Sequence, residues 1–168
     1  MKQLFIVRHA KTEWADSGKS DFSRSLTPSG IHEAKIMAEK LAEKNIKIDI
    51  ILCSSALRAR ETASFLSALL FPDNKMLNYI DELYLAPSQI LSQTIEKLNN
   101  NFNQVMVIAH NPGITDWVNS MTEQIKIDEM PTCGIFAVAA DISQWSEFKA
   151  ATRYFFFFDQ PKGVSDFL

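Results

Sequence analysis

Cysteine is scarce: Cys53 and Cys133 are the only two in 168 residues. Two thiols this far apart build neither a disulfide framework nor a zinc ribbon, and both are expected to be free in a reducing compartment. Long apolar runs are also missing. The opening Leu4-Phe5-Ile6-Val7 is too short for the core of a signal peptide, no cleavage site follows it, and no stretch approaches membrane-spanning length. A cytoplasmic location without membrane contact is the expectation. Nor is there a basic excess: 17 Lys and Arg against 20 Asp and Glu give a net charge of −3. That excludes polyelectrolyte-type nucleic-acid binding and leaves any anion to a local basic cluster. The loops that mark nucleotide binding, zinc proteolysis and serine hydrolysis (Gly-Lys-Ser/Thr, Gly-x-Gly-x-x-Gly, His-Glu-x-x-His, Gly-x-Ser-x-Gly) do not occur. Clustered carboxylates for metal-dependent hydrolysis are lacking too, so no metal and no cofactor are expected. There is no repeat, low-complexity tract or linker, and residues 1–168 read as one domain acting as a monomer.

What is present is an alternation of apolar runs and helical patterns. Leu4–Val7, Ile48–Cys53, Met76–Ile80 and Val105–Ala109 read as strands, the first a continuous apolar run suited to burial on both faces. Thr27 as N-cap and Pro28 in the first turn open a helix whose apolar face is Ile31, Ala34, Ala38, Leu41 and Ala42. Ser54 or Ser55 caps a second helix running to about Leu70, and Pro87 to about Asn100 forms a third, with Ile90, Leu91, Ile95 and Leu98 on its apolar face. Pro112-Gly113 starts a fourth, carrying Ile114, Trp117, Val118 and Met121. Ile135–Ala140 and Ala151–Phe158 then read as two strands of a hairpin, joined by a polar loop over Asp141–Lys149, with Tyr154–Phe158 buried on both faces. The order predicts an α/β fold: a single-domain three-layer sandwich with a mostly parallel sheet flanked by helices on both faces.

Ligands bind such sheets at the carboxyl ends of the strands. The residues just past the four predicted parallel strands are Arg8-His9, Ser54 to Arg58, Asp81-Glu82 and His110-Asn111. Two histidines, two arginines and a carboxylate thus converge on one sheet edge, although the chain has only three histidines in all. The third, His32, falls off its helix's apolar stripe and is expected in solvent, as are Arg60 and Glu61; Cys53 is read as a core residue. A phosphoryl group carries roughly −1.5 to −2 charges near neutral pH. Guanidinium matches its oxygens with paired hydrogen bonds and keeps its charge. A neutral imidazole among arginines is a competent nucleophile towards phosphorus, and a carboxyl of raised pKa could protonate a leaving group. An arginine at a helix start is also poorly matched to the helix dipole unless an anion lies nearby, which favours Arg58 as an anion ligand.

These residues carry a family resemblance. Phe5-Ile6-Val7-Arg8-His9-Ala10 resembles the Arg-His-Gly signature of the histidine phosphatase (phosphoglycerate-mutase-like) superfamily. Ser54 to Thr62, with Arg58 four residues before Thr62, resembles its second motif, and Val107-Ile108-Ala109-His110-Asn111 its second-histidine motif. Arg24-Ser25-Leu26-Thr27-Pro28-Ser29-Gly30 is similar to the segment opening the first helix. Arg24 two residues before Leu26-Thr27, and the terminal Pro161-Lys162, are most similar to the compact bacterial phosphohistidine phosphatases. Ala10 stands where the family has glycine. The resemblance implies His9 as nucleophile, Arg8 and Arg58 as phosphate ligands, and His110 as a catalytic donor to a phosphoryl oxygen. Arg24 is either a further phosphate ligand or part of a surface ion pair. Glu82 is either the general acid or a strand-end carboxylate paired to an arginine. The implied activity is dephosphorylation of phosphohistidine on a partner protein. A small-molecule phosphomonoesterase and a non-catalytic phosphate-binding module remain the alternatives. The short stretch between Glu82 and His110 leaves little chain for a lid, which favours an open site and a protein substrate.

Overall fold

The computed structural model describes residues 1–15, 18–70 and 76–161; Lys162 of the Pro-Lys pair lies outside them. The strands are β1 (Lys2–Arg8), β2 (Ile50–Ser54), β3 (Leu77–Ile80), β4 (Gln104–Ala109), β5 (Ile135–Ala140) and β6 (Arg153–Asp159). The helices are α1 (Pro28–Glu43), α2 (Leu57–Leu70), α3 (Ser88–Glu96) and α4 (Gly113–Asn119), with short 3-10 turns at Asp21–Ser23, Asp81–Leu83 and Trp145–Glu147. One sheet runs in the order β3-β2-β4-β1-β5-β6. β1 to β4 are mutually parallel, while β5 runs antiparallel to β1 and to β6. Among the described residues no helix is long and apolar enough to cross a membrane.

Alternate side chains of the central strands feed two cores. Leu4, Ile6, Leu52, Val105 and Val107 pack with Leu91, Ile95, Ile114 and Trp117 of α3 and α4. Phe5, Val7, Ile51, Met106 and Ile108 pack with Met37, Leu41, Ala63 and Leu66 of α1 and α2. Fully buried side chains of this size each stabilise the fold by roughly 1.5–3 kcal/mol. Thr27 caps α1 as the sequence predicts, its Oγ1 accepting the Gly30 N–H at 3.0 Å. Gly30 has no room for a side chain, since a Cβ there would lie 2.0 Å from the Lys11 carbonyl oxygen.

Three expectations are corrected. On α1, Met37 belongs to the buried stripe and Ala42 is exposed. The Asp141–Lys149 connection is polar in composition, yet Trp145 and Phe148 are buried in it, and the Trp145 indole N–H donates to the Phe102 carbonyl at 2.9 Å. The Tyr154–Phe158 run is not buried on both faces. β6 is an edge strand, with Tyr154 51% and Phe156 48% exposed. The β5–β6 register slips between Ala137 and Val138, which pair with Phe157 and Phe155, so Phe156 is left over. Such a bulge re-aims the side chains flanking it: Phe155 packs at a tilt against Phe136 in one core and Phe157 against Phe5 in the other.

Candidate active site

Parallel pairing of β1, β2 and β4 brings Arg8, Ser54 and Ala109 to the same carboxyl edge, so the residues that follow them share one surface. The backbone beyond β1 is held tightly. The His9 N–H donates to the Ala109 carbonyl, and the His9 carbonyl accepts from Cys133. Ala10 is fully buried against the α1–α2 core, which houses the methyl group that glycine would lack. Its N–H donates to Thr62 Oγ1 at 3.0 Å, and that hydroxyl donates to the Arg58 carbonyl at 2.7 Å. The four-residue step from Arg58 to Thr62 therefore sets the hydroxyl one helical turn on, where it ties the loop after β1 to α2.

His9 is nearly buried, and its Nδ1 lies 2.8 Å from the Ala10 carbonyl. Arg58 Nε donates to His9 Nε2 at 3.3 Å. Arginine can only donate, so Nε2 carries the lone pair and the proton sits on Nδ1. Burial pushes the His9 pKa down to about 3, reinforced by the positive charges of Arg58, Arg8 and Arg24 against the opposing Ala10 hydrogen bond. The imidazole is thus neutral at physiological pH, with its Nε2 electron pair accepting from a guanidinium.

His110 lies beside it, ring centroids 5.1 Å apart, and its Nε2 is 2.7 Å from Ser54 Oγ. Burial first, then the neighbouring His9, Arg58 and Arg8, also lower its pKa to about 3. Its Nδ1 and the Nε of Arg8 are buried without a hydrogen-bond partner. Arg8 reaches past the site with Nη1, which donates to Glu129 Oε1 at 2.9 Å and to the Met130 carbonyl at 2.6 Å. Asn111 Nδ2 donates to the same two acceptors.

Arg58 is 2% exposed. Beyond His9 it donates from Nη1 to the Asp21 carbonyl at 2.6 Å and from Nη2 to Asp21 Oδ2 at 3.0 Å. Arg24 bonds Asp21 Oδ1 through Nε and Nη2, and Nη1 donates to Thr12 Oγ1 and the Glu13 carbonyl. Arg24 is thus ion-paired to Asp21, and its charge also reaches His9. Tyr84, unmarked by any sequence pattern, donates its hydroxyl to Asp21 Oδ2 and sets its ring edge against His110. Those donors hold the Asp21 carboxyl well below the usual range, the Tyr84 hydrogen bond first. Asp21 likewise belongs to no sequence motif; its signal is an acid three residues before Arg24.

Glu82 is not brought into this cluster. It is exposed and lines a shallow recess with Ile80, Ile90, Gln93, Thr94 and Lys97. Asp81 is bonded by Ser55 Oγ and Tyr84 bonds Asp21, whereas Glu82 between them points into the recess beside α3. Glu61, expected in solvent, is half-buried and accepts the Leu26 N–H at 2.7 Å. His32 and Arg60 are exposed and Cys53 is buried, as the sequence predicts. Among the described residues no group of three His, Cys, Asp or Glu side chains could hold a metal ion.

Residues 4–104 match the Histidine phosphatase superfamily (branch 1). An uncharacterized protein of Mycobacterium tuberculosis (strain ATCC 25618 / H37Rv) is 28% identical over 151 residues, covering 84% of this chain and 90% of its own. Among solved structures, a protein named SixA from Agrobacterium tumefaciens is 28% identical with a TM-score of 0.78, covering 95% of this chain and 99% of its own. The protein histidine phosphatase SixA complexed with tungstate is 25% identical with a TM-score of 0.79, covering 95% and 97%.

Proposed function

Because this chain belongs to the histidine phosphatase superfamily, branch 1, and is a phosphatase on that ground, we propose that its substrate is phosphohistidine on a partner protein. His9 Nε2 attacks phosphorus in line with the departing imidazole nitrogen. The substrate's P–N bond breaks as a P–N bond to His9 forms, and the released imidazole takes its proton from solvent. Water then adds to phosphorus, the bond to His9 breaks, and inorganic phosphate leaves with the neutral nucleophile restored. Arg8 and Arg58 hold phosphoryl oxygens, with Arg24 contributing charge. His110 donates from Nδ1, its Nε2 being turned to Ser54, to stabilise the charge spread over those oxygens in the transition state.

One observation carries the choice of substrate. Asp21, the carboxylate bonded to Arg58, is held ionised by Tyr84, Arg24 and Arg58, and Glu82 lines a separate recess. A proton donor matters in proportion to how badly the leaving group needs a proton. An alkoxide needs one; an imidazole nitrogen exchanges protons with water near neutral pH. A site whose carboxylate is kept charged suits a P–N bond better than an alkyl ester. The resemblance to a protein histidine phosphatase points the same way. Comparing kcat/KM on a phosphohistidine carrier protein with that on a panel of alkyl phosphates tests the reading. Preference for the carrier supports it, whereas preference for an alkyl phosphate transfers the assignment to a small-molecule phosphomonoesterase.

A further inference from the structure

Asp21 stands on a one-turn 3-10 segment, outside every strand end that defines the site, yet its main-chain and side-chain oxygens collect three of the surrounding side chains. We infer that Asp21 is a positioning residue that aims the Nε edge of Arg58 at the oxygens of the phosphoryl group attacked by His9. The inference rests on the reading of His9 as phosphoryl acceptor.

The argument is one of direction. A guanidinium is planar, with five N–H bonds in fixed directions. The Asp21 carbonyl takes Nη1 at 2.6 Å and Oδ2 takes Nη2 at 3.0 Å, so the end of the plane is pinned. The remaining edge, led by Nε, must then face His9 Nε2, which lies 3.3 Å away. Asp21 is in turn anchored. Arg24 grips Oδ1, and the Nη1 of Arg24 is tied to Thr12 and Glu13 on the loop that follows His9 and Ala10. The loop carrying the nucleophile and the helix carrying Arg58 are therefore registered through one carboxylate.

Two other roles fit the same contacts less well. A carboxylate plugging the phosphoryl seat would lie between Arg58 and the nucleophile, but Asp21 takes the far end of the guanidinium and has no hydrogen bond to His9 or His110. A residue that only folds its own loop would not need to stay charged, whereas Asp21 is surrounded by charge-assisted donors.

Asp21→Asn separates these roles, because it keeps the shape and removes the charge. Asp21 is 43% exposed at its side chain, so the variant is expected to fold. For a positioning residue, kcat on a phosphohistidine peptide falls by ~10-fold or more as Arg58 loses its alignment with the transition state. The Kd for inorganic phosphate rises by less than that factor, because loss of a neighbouring negative charge offsets the poorer fit of Arg58 to phosphoryl oxygens. Tyr84→Phe, which removes one donor to Oδ2 without altering charge, lowers kcat more weakly and leaves phosphate affinity unchanged. Faster turnover with tighter phosphate binding would show a plug and overturn the proposal. Equal losses in kcat and phosphate affinity would show a loop-folding role and overturn it too, as would no change. Failure of wild-type protein to form any phosphoryl-His9 would instead remove the reading beneath it.

Discussion

Arg58 Nε lies 3.3 Å from His9 Nε2, so a permanently charged donor caps the lone pair of the nucleophile. When a phosphoryl group enters, the guanidinium exchanges a weak neutral acceptor for an anionic oxygen, the stronger kind of hydrogen bond. Arg58→Lys keeps the charge and loses the fork that joins His9 to Asp21. A loss of at least ~10-fold in kcat/KM is expected, about 1.4 kcal/mol of transition-state stabilisation. A lysine variant as active as wild type would refute directional recognition by Arg58.

His9→Ala removes the nucleophile but leaves the arginines. Turnover should fall ~10³-fold or more, while vanadate still binds. In the wild type, acid-labile and base-stable phosphate should be trapped on His9. Label on a serine or cysteine would contradict the mechanism.

Both site histidines have pKa values pushed down to about 3 by burial and neighbouring positive charge. An unfolded histidine takes up a proton near pH 6.5, so between that pH and about 3 the unfolded chain holds more protons than the folded one. Stability is therefore complete above about pH 6.5 and declines as pH falls through that window. The imidazole NMR resonances of His9 and His110 should stay flat from pH 5 to 8, and Tm should drop steadily below pH 6. An inflection between pH 6 and 7 at either ring would show that it ionises like a solvated histidine.

Glu82→Gln should leave turnover of phosphohistidine and of nitrophenyl phosphate within ~2-fold of wild type, since neither leaving group depends on a positioned acid. Its outward position extends the expectation to alkyl phosphates. A selective collapse on the alkyl substrate would restore Glu82 as general acid and require the Asp81–Leu83 turn to rearrange on binding.

Thr62→Val preserves shape but takes the acceptor from the Ala10 N–H inside the protein. Leaving that donor unsatisfied should cost about 1–3 kcal/mol in denaturant unfolding. A variant as stable as wild type would mean that the loop after β1 is held by its other contacts alone.

Much of this protein was legible in the chain because its signals are local. Continuous apolar runs marked the central strands, Thr27-Pro28 marked the start of α1, and parallel order implied that His9, Arg58 and His110 would meet at one edge. Periodicity states which face of an element is buried. It does not state the direction of a side chain in a one-turn segment, nor the register of an edge strand. Those were decided by tertiary contacts. At the 3-10 turn Asp81–Leu83 and its C-cap, Tyr84 bonds Asp21 while Glu82 lines the recess beside α3. A single slipped pair against β5 exposed Phe156 and sent its two neighbours to opposite cores. Asp21 met an arginine 37 positions away, a contact that exists only because α2 and the loop after β1 pack together. Sequence by itself determined which groups could do chemistry, since residue type sets charge, basicity and donor count. Only the folded chain decided which of them are aimed at the same atom, because aim depends on distances between elements that no local pattern encodes.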